Sequence, residues 1–226
     1  MKLFDNLNYY LWQGKGNNCN TYVFPNVLRG DRPHVLIDPG HVVNETKERC
    51  LEQLLVDMTS DGIKPEDIGL IINTHAHWDH FQATRALMQL GARKGDKASQ
   101  PLVTIHEKEK EYLASVLEYM PQKARESIAF EPSFYLTEGD LALGDSLNLR
   151  ILHTPGHTPG SLSIYWPDKR LIITGDLLFY GGVGRTDFGG DGQELKRSIE
   201  RLMELDIEYV LPKNFAMVRT SYFPML

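Results

Sequence analysis

The chain has 226 residues, of which 42% are apolar and 24% charged, enough to bury a core unaided and ordinary for a globular protein. A formal charge of −6 argues against nucleic acid or an anionic membrane as the principal partner, and only two cysteines, Cys19 and Cys50, exclude a disulfide-dense secreted scaffold. The N-terminus turns polar too soon for a secretory signal, and no stretch approaches the roughly eighteen apolar residues of a membrane span, so a cytoplasmic protein is expected.

In chain order, Tyr9 to Phe24 reads as two short strands around a Gly14–Asn18 turn. His34 to Asp38 is a buried strand stopped by Pro39-Gly40, with Asp38 at its C-terminal edge. Asn44 suits the N-cap of a helix whose Cys50, Leu51, Leu54, Leu55 and Met58 recur at helical spacing. Ile68 to Ile72 is a central strand, followed by a helix over Phe81 to Leu90. After a basic loop from Gly91 to Gln100 come a strand, Leu102 to His106, and a charged helix, Glu107 to Met120, while Ala124 to Ser133 fits no single element. Phe134–Leu136, Asp140–Leu143, Leu147–Leu152, Ser161–Trp166 and Leu171–Thr174 read as successive strands, the last two joined by a tight Pro167-Asp168 hairpin. A Gly-rich loop from Tyr180 to Gly192, a helix from Glu194 to Leu205 and a strand from Tyr209 to Leu211 complete the order. Strands with interposed helices in both halves, and no linker between them, predict one domain over 1–226, an α+β sheet sandwich with helices outside.

Asn73-Thr-His75-Ala-His77-Trp-Asp79-His80 follows the central strand. His75 and His77 project to one side of an extended segment, and Asp79 and His80 reach a second pocket as the chain turns into helix. Four further fragments each follow an apolar strand: His153-Thr-Pro-Gly-His157-Thr-Pro-Gly160, Thr174-Gly175-Asp176, Gly184-Arg185-Thr186-Asp187-Phe188 in the Gly-rich loop region, and Leu211-Pro212-Lys213-Asn214. The paired prolines and glycines around His157 make a loop with little freedom to lose.

The series His75-x-His77-x-Asp79-His80, His157 in a Thr-Pro-Gly-His loop and Asp176 after Gly175 resembles the metallo-β-lactamase superfamily, and Gly184–Phe188 is similar to its glyoxalase II-like and persulfide dioxygenase-like branches. The likeness runs over roughly Asn18 to Pro212. It implies an αββα sandwich, two facing mixed β-sheets with helices on both outer faces. It implies a first metal on His75, His77 and His157, and a second on Asp79 and His80, with Asp176 bridging them. Zn²⁺, one or two per chain, is the implied cofactor, with Fe²⁺ or Mn²⁺ also compatible with such ligands. Asp79 would instead be catalytic if it orients the attacking water or shuttles its proton.

One departure stands out. The family closes its second site with a histidine in a Pro-Gly-His context after the last strand; here Asn214 stands at that place, and no histidine follows His157. Three explanations remain open: an altered or truncated C-terminal end from about Lys213, a divergent second site completed by Asn214 or water, or a mono-metal or non-catalytic relative. Asn is a poor ligand beside His, so the first site is expected to be well occupied and the second weak.

Among lesser candidates, Arg185 either binds a substrate anion or pairs with Asp187 or Asp191, and Asp38 is expected to support a metal-bound histidine as a hydrogen-bond acceptor. Trp78 is expected to pack beneath the site, His153 to be structural, and the Lys108–Glu111 run to be a solvated helix face. His34, His41 and His106 carry no ligating spacing, and the two cysteines read as buried apolar residues. The resemblance implies hydrolysis of a small ester or thioester as the leading activity. A mononuclear Fe(II) persulfide dioxygenase using His75, His157 and Asp176 is the alternative, and an inactive metal-binding relative the third reading. The expected partner is a small-molecule substrate, with no nucleic acid and no membrane; no feature sets an oligomeric state.

Overall fold

The computed structural model describes residues 2–92, 99–145, 147–213 and 217–220. Seven strands, β1 (Lys2–Phe4), β2 (Leu7–Tyr10), β3 (Thr21–Phe24), β4 (His34–Ile37), β5 (Ile68–Ile72), β6 (Leu102–His106) and β7 (Phe134–Leu136), lie side by side in sequence order in one sheet. β1 to β4 pair antiparallel, and β4 to β7 pair parallel through helical crossovers. The second sheet contains β8 (Gly139–Leu143), β9 (Leu147–His153), β10 (Leu162–Trp166) and β11 (Leu171–Gly175). After a small hairpin of β12 (Leu178–Phe179) and β13 (Gly182–Val183), β14 (Tyr209–Pro212) and β15 (Val218–Arg219) complete that sheet. Its order is β15-β14-β11-β10-β9-β8, with only β11 and β14 parallel.

Alternation along the strands builds three apolar layers. Tyr9, Phe24, Val35, Ile37, Leu70 and Ile72 of the first sheet meet Leu149, Ile151, Leu162, Ile164, Ile173 and Leu211 of the second in a central core. The intervening Val23, Leu36, Ile71, Val103 and Ile105 face outward onto α1 (Cys50–Ser60), α3 (Thr84–Gly91), α4 (Glu109–Glu118) and α5 (Gln122–Ile128). On the other side, Tyr165, Ile172 and Val210 pack under Leu195, Ile199 and Leu202 of α6 (Gly192–Met203). The order is helices, sheet, sheet, helices, the α+β sandwich anticipated above.

Several boundaries moved for local reasons. Asn44 caps a turn rather than a helix: its Oδ1 accepts from the backbone N–H groups of Thr46 and Glu48, and α1 starts only at Cys50. The helix foreseen from Phe81 is two pieces, a single turn α2 (Trp78–Phe81) and α3, because the Ala83 N–H donates to Gly40 O instead of continuing the helix. The ambiguous Ala124–Ser133 segment contains most of α5, which starts just after Pro121. α6 is capped by Asp191, whose side chain accepts from the N–H groups of Gln193 and Glu194. Among the described residues no helix is long and apolar enough to cross a membrane.

Candidate metal centre

Strands β4, β5, β9, β11 and β14 deliver the chemistry-bearing residues from their C-terminal ends. Asp38 follows β4, His75 to His80 follow β5, His157 follows β9, Asp176 follows β11 and Lys213 follows β14. The two sheets are tied together here, since the Leu162 N–H donates to Thr74 O at 3.0 Å. Gly175 sits at φ 52°, where a side chain would be strained, and a Cβ there would lie 2.8 Å from Thr74 Oγ1.

Each histidine of the first group is held by its outer nitrogen, which determines the nitrogen it turns inward. His157 Nδ1 donates to Arg185 O at 2.6 Å, leaving Nε2. His77 Nε2 donates to the Tyr112 hydroxyl at 2.8 Å, leaving Nδ1, and that hydroxyl in turn donates to Phe188 O at 2.7 Å. His75 Nδ1 lies 3.1 Å from Thr74 Oγ1, leaving Nε2. The inward His77 Nδ1 and His157 Nε2 are 2.7 Å apart. Burial pushes all three imidazoles below the usual histidine range, His77 to about 4, with neighbouring histidine charges adding to the effect. They are therefore neutral at pH 7, the state a metal requires.

His80 differs. Its Nδ1 lies 2.7 Å from Asp38 Oδ2 and its Nε2 lies 2.8 Å from Asp176 Oδ1. Burial opposes its charge, but Asp176 and Asp38 outweigh burial and raise it to about 10. Asp38 also accepts from the Thr74 N–H and Oγ1–H, at 2.7 and 2.6 Å, and is held at φ 52°, uncommon for a residue with a side chain.

Two groups of ligand-type atoms emerge, His75 with His77 and His157, and His75 with His80 and Asp176, the atoms of each within 4.8 Å of one another. His75 Nε2, His80 Nε2 and Asp176 Oδ1 are buried without a hydrogen-bond partner, the last two facing each other as an ion pair at 2.8 Å. Buried donor atoms left unsatisfied by protein and converging on one small volume fit a metal ion.

Asp79 is brought to the site but not into either group. Its Oδ2 accepts from Asn17 Nδ2 at 2.9 Å and pairs with Lys213 Nζ, which also donates to Asp176 Oδ2 at 3.1 Å. Where a second metal on Asp79 and His80 was anticipated, an ammonium group occupies the Asp79 side. Despite burial, His80 and Lys213 hold both Asp79 and Asp176 below the usual carboxylate range. Asn214 lies outside the described residues, as do 215–216, the tail from 221 and most of the basic loop after Ala92.

Among the lesser candidates, Trp78 departs from expectation, while Arg185 takes the pairing with Asp187 that was one of its alternatives. Arg185 is exposed and turned to Asp187, with its Nε 2.9 Å from Oδ1 and its guanidinium over the Phe188 ring; its carbonyl, not its side chain, reaches the centre. Trp78 is 40% exposed rather than packed beneath the site. His153 stacks on His106 at 4.3 Å.

Glu109 belongs to the charge run expected to face solvent, yet it is fully buried. Its carboxylate accepts from the Ala76 N–H at 2.7 Å and the Gly160 N–H at 2.6 Å, clamping the two histidine loops together. Burial raises its pKa. Tyr112, one turn further along α4, reaches His77 with its hydroxyl. Neither residue has a sequence signal of its own beyond a charge and a phenol in the helix that follows β6.

A buried histidine–carboxylate cluster at the strand ends of an αββα sandwich defines a metal-binding enzyme domain. A family model described as the metallo-β-lactamase superfamily matches residues 15–213, and the chain belongs to that superfamily. Similar proteins include the probable metallo-hydrolase YqgX of Bacillus subtilis, 36% identical over 186 residues covering 79% of this chain and 77% of that protein. The hydroxyacylglutathione hydrolase GloC of Haemophilus influenzae is 33% identical over 180 residues, covering 78% and 76%. Among solved structures, that of TTHA1623 in a di-iron-bound form superposes with a TM-score of 0.66 at 29% identity, covering 90% of this chain and 91% of the other.

Proposed function

We propose that this protein is a metal-dependent hydrolase of a small ester or thioester, similar in reaction to the hydroxyacylglutathione hydrolase it resembles, with zinc as the leading metal and iron or manganese as the other candidates. The observation that carries this reading is the trio His75, His77 and His157, neutral, each tethered by one ring nitrogen and offering the other inward. A bound divalent ion would supply a water acidified to a pKa of about 7.

The protein's own groups do the rest. Asp79, kept ionised by His80 and Lys213, is the carboxylate this reading assigns to accept a proton from an attacking water. Asp176 lies 3.3 Å from His157 Nε2 and adds a carboxylate to the imidazole trio. Lys213 contributes a buried positive charge beside Asp79 and Asp176 that would favour negative charge developing on a substrate oxygen nearby. A small-molecule substrate, rather than nucleic acid or an anionic membrane, accords with the acidic net charge.

The test is turnover of a hydroxyacylglutathione thioester and simple aryl esters by protein loaded separately with zinc, manganese or iron. Hydrolysis should vanish on chelation and in His75→Ala and His157→Ala. Metal-loaded protein inert to every ester and thioester would sink this reading.

A second reading rests on His75, His157 and Asp176, two histidines and one carboxylate with Asp176 Oδ2 3.3 Å from His157 Nε2, the kind of set a mononuclear Fe(II) persulfide dioxygenase uses. Oxygen uptake by iron-loaded protein with glutathione persulfide, without thioester hydrolysis, would select it. Inertness in both assays with metal bound would select the inactive relative.

A further inference from the structure

The Lys213 side chain is only 9% exposed although lysine is seldom buried, and its ammonium lies between the carboxylates of Asp79 and Asp176. This is not a loose chain end folded inward. The Lys213 N–H donates to Gly175 O at 3.1 Å, and its carbonyl accepts from the Asn20 N–H at 2.7 Å. The preceding Pro212 carbonyl accepts from Asn20 Nδ2 at 3.0 Å and from the Tyr22 hydroxyl at 2.7 Å. Strands from both sheets thus position the backbone from which the lysine reaches the site. Neutralising Asp79 and Asp176 there requires a cation, and the protein provides one of its own.

We propose that the Lys213 ammonium takes the place of a second metal ion, so that the centre binds a single divalent ion on the His75, His77 and His157 side. The inference rests on the metal-binding reading above. A second divalent ion on Asp79, His80 and Asp176 would have to displace Lys213 from its two carboxylates or sit against a like charge. Asp79 consequently serves as an ammonium-paired carboxylate, and Asp176 turns Oδ1 to His80 while its Oδ2 lies between Lys213 and His157.

The test is metal stoichiometry, independent of turnover. Wild-type protein and Lys213→Ala are stripped, titrated with zinc by calorimetry, and assayed for bound metal after gel filtration. The manganese-loaded forms are examined by electron paramagnetic resonance for coupling between ions. Wild type should saturate at one ion per chain, with an uncoupled manganese signal. Lys213→Ala should take up a second ion and show a coupled pair. Two ions in the wild type, or one ion in both proteins, would overturn the role of Lys213 while leaving the metal reading intact; no ion in either would overturn the metal reading itself. Should Lys213→Ala fail to fold, anomalous scattering from zinc-soaked wild-type crystals decides. One peak beside His77 with the lysine on Asp79 supports the proposal, and two peaks overturn it.

Discussion

Glu109 Oε1 accepts a hydrogen bond from the Gly160 N–H at 2.6 Å, joining the first turn of α4 to the loop that carries His157. Its Oε2 does the same for Ala76, between His75 and His77. Removing the carboxylate in Glu109→Ala would leave two buried N–H groups unpaired, a loss of roughly 2–4 kcal/mol. Urea denaturation should show that loss, and zinc affinity should fall with it because both histidine loops are released. An unchanged denaturation midpoint would mean that the loops hold themselves.

Tyr112→Phe removes only the hydroxyl that joins His77 Nε2 to Phe188 O. The fold should survive with a loss of about 1 kcal/mol, while metal affinity falls about tenfold or more because His77 is no longer oriented. Calorimetric titration with zinc separates the two effects.

Asp38 gathers three hydrogen-bonding groups, the Thr74 N–H and hydroxyl and His80 Nδ1, in a fully buried place. Asp38→Ala strands a charged imidazole and should cost about 3–5 kcal/mol. Asp38→Asn tolerates the left-handed backbone and keeps one acceptor oxygen, so it should recover part of that loss in chemical denaturation. Equal stability of the two variants would contradict this account.

His106 gives a pH signature away from the metal centre. Its Nδ1 accepts from the Lys108 N–H at 3.2 Å, and its ring stacks on His153. Burial and the His153 charge lower it from 6.5 to about 4. Between those values the unfolded chain binds the proton and the folded chain does not. This contribution to stability is therefore complete above pH 6.5 and is lost as pH falls towards 4. His106→Asn, which keeps an acceptor, should flatten the slope of stability against pH in that window. An unaltered slope would assign it to other groups.

Metal removal should lower Tm, since the ion binds folded protein only. Zinc at a hundred times its Kd adds about 2.7 kcal/mol by mass action. Scanning calorimetry with and without chelator measures it, and no difference would mean that zinc is not a ligand of the folded state.

Strand order and the sandwich were legible because their causes are local. Alternating Val, Leu and Ile runs have one inner and one outer face, and each ends in Gly, Pro or polar residues that stop the strand. The His75–His80 stretch, His157 and Asp176 could be singled out for the same reason, as dense clusters of ligand-type side chains at such strand ends. Less legible was anything decided by contacts between distant segments. Even at short range a competing partner can win: Asn44 has the makings of a helix cap but was claimed by a turn, whereas the Arg185–Asp187 pairing was among the alternatives foreseen.

The sequence by itself determined the layered α+β architecture and the order in which candidate ligands appear, because periodicity and strand-end chemistry act over a few residues. Only the tertiary structure decided that Glu109 is buried between the loops of Ala76 and Gly160, that Tyr112 orients His77, and that Lys213 sits on Asp79 and Asp176. A charged side chain leaves water only when distant parts of the chain supply its partners, and no local pattern shows where those partners will meet.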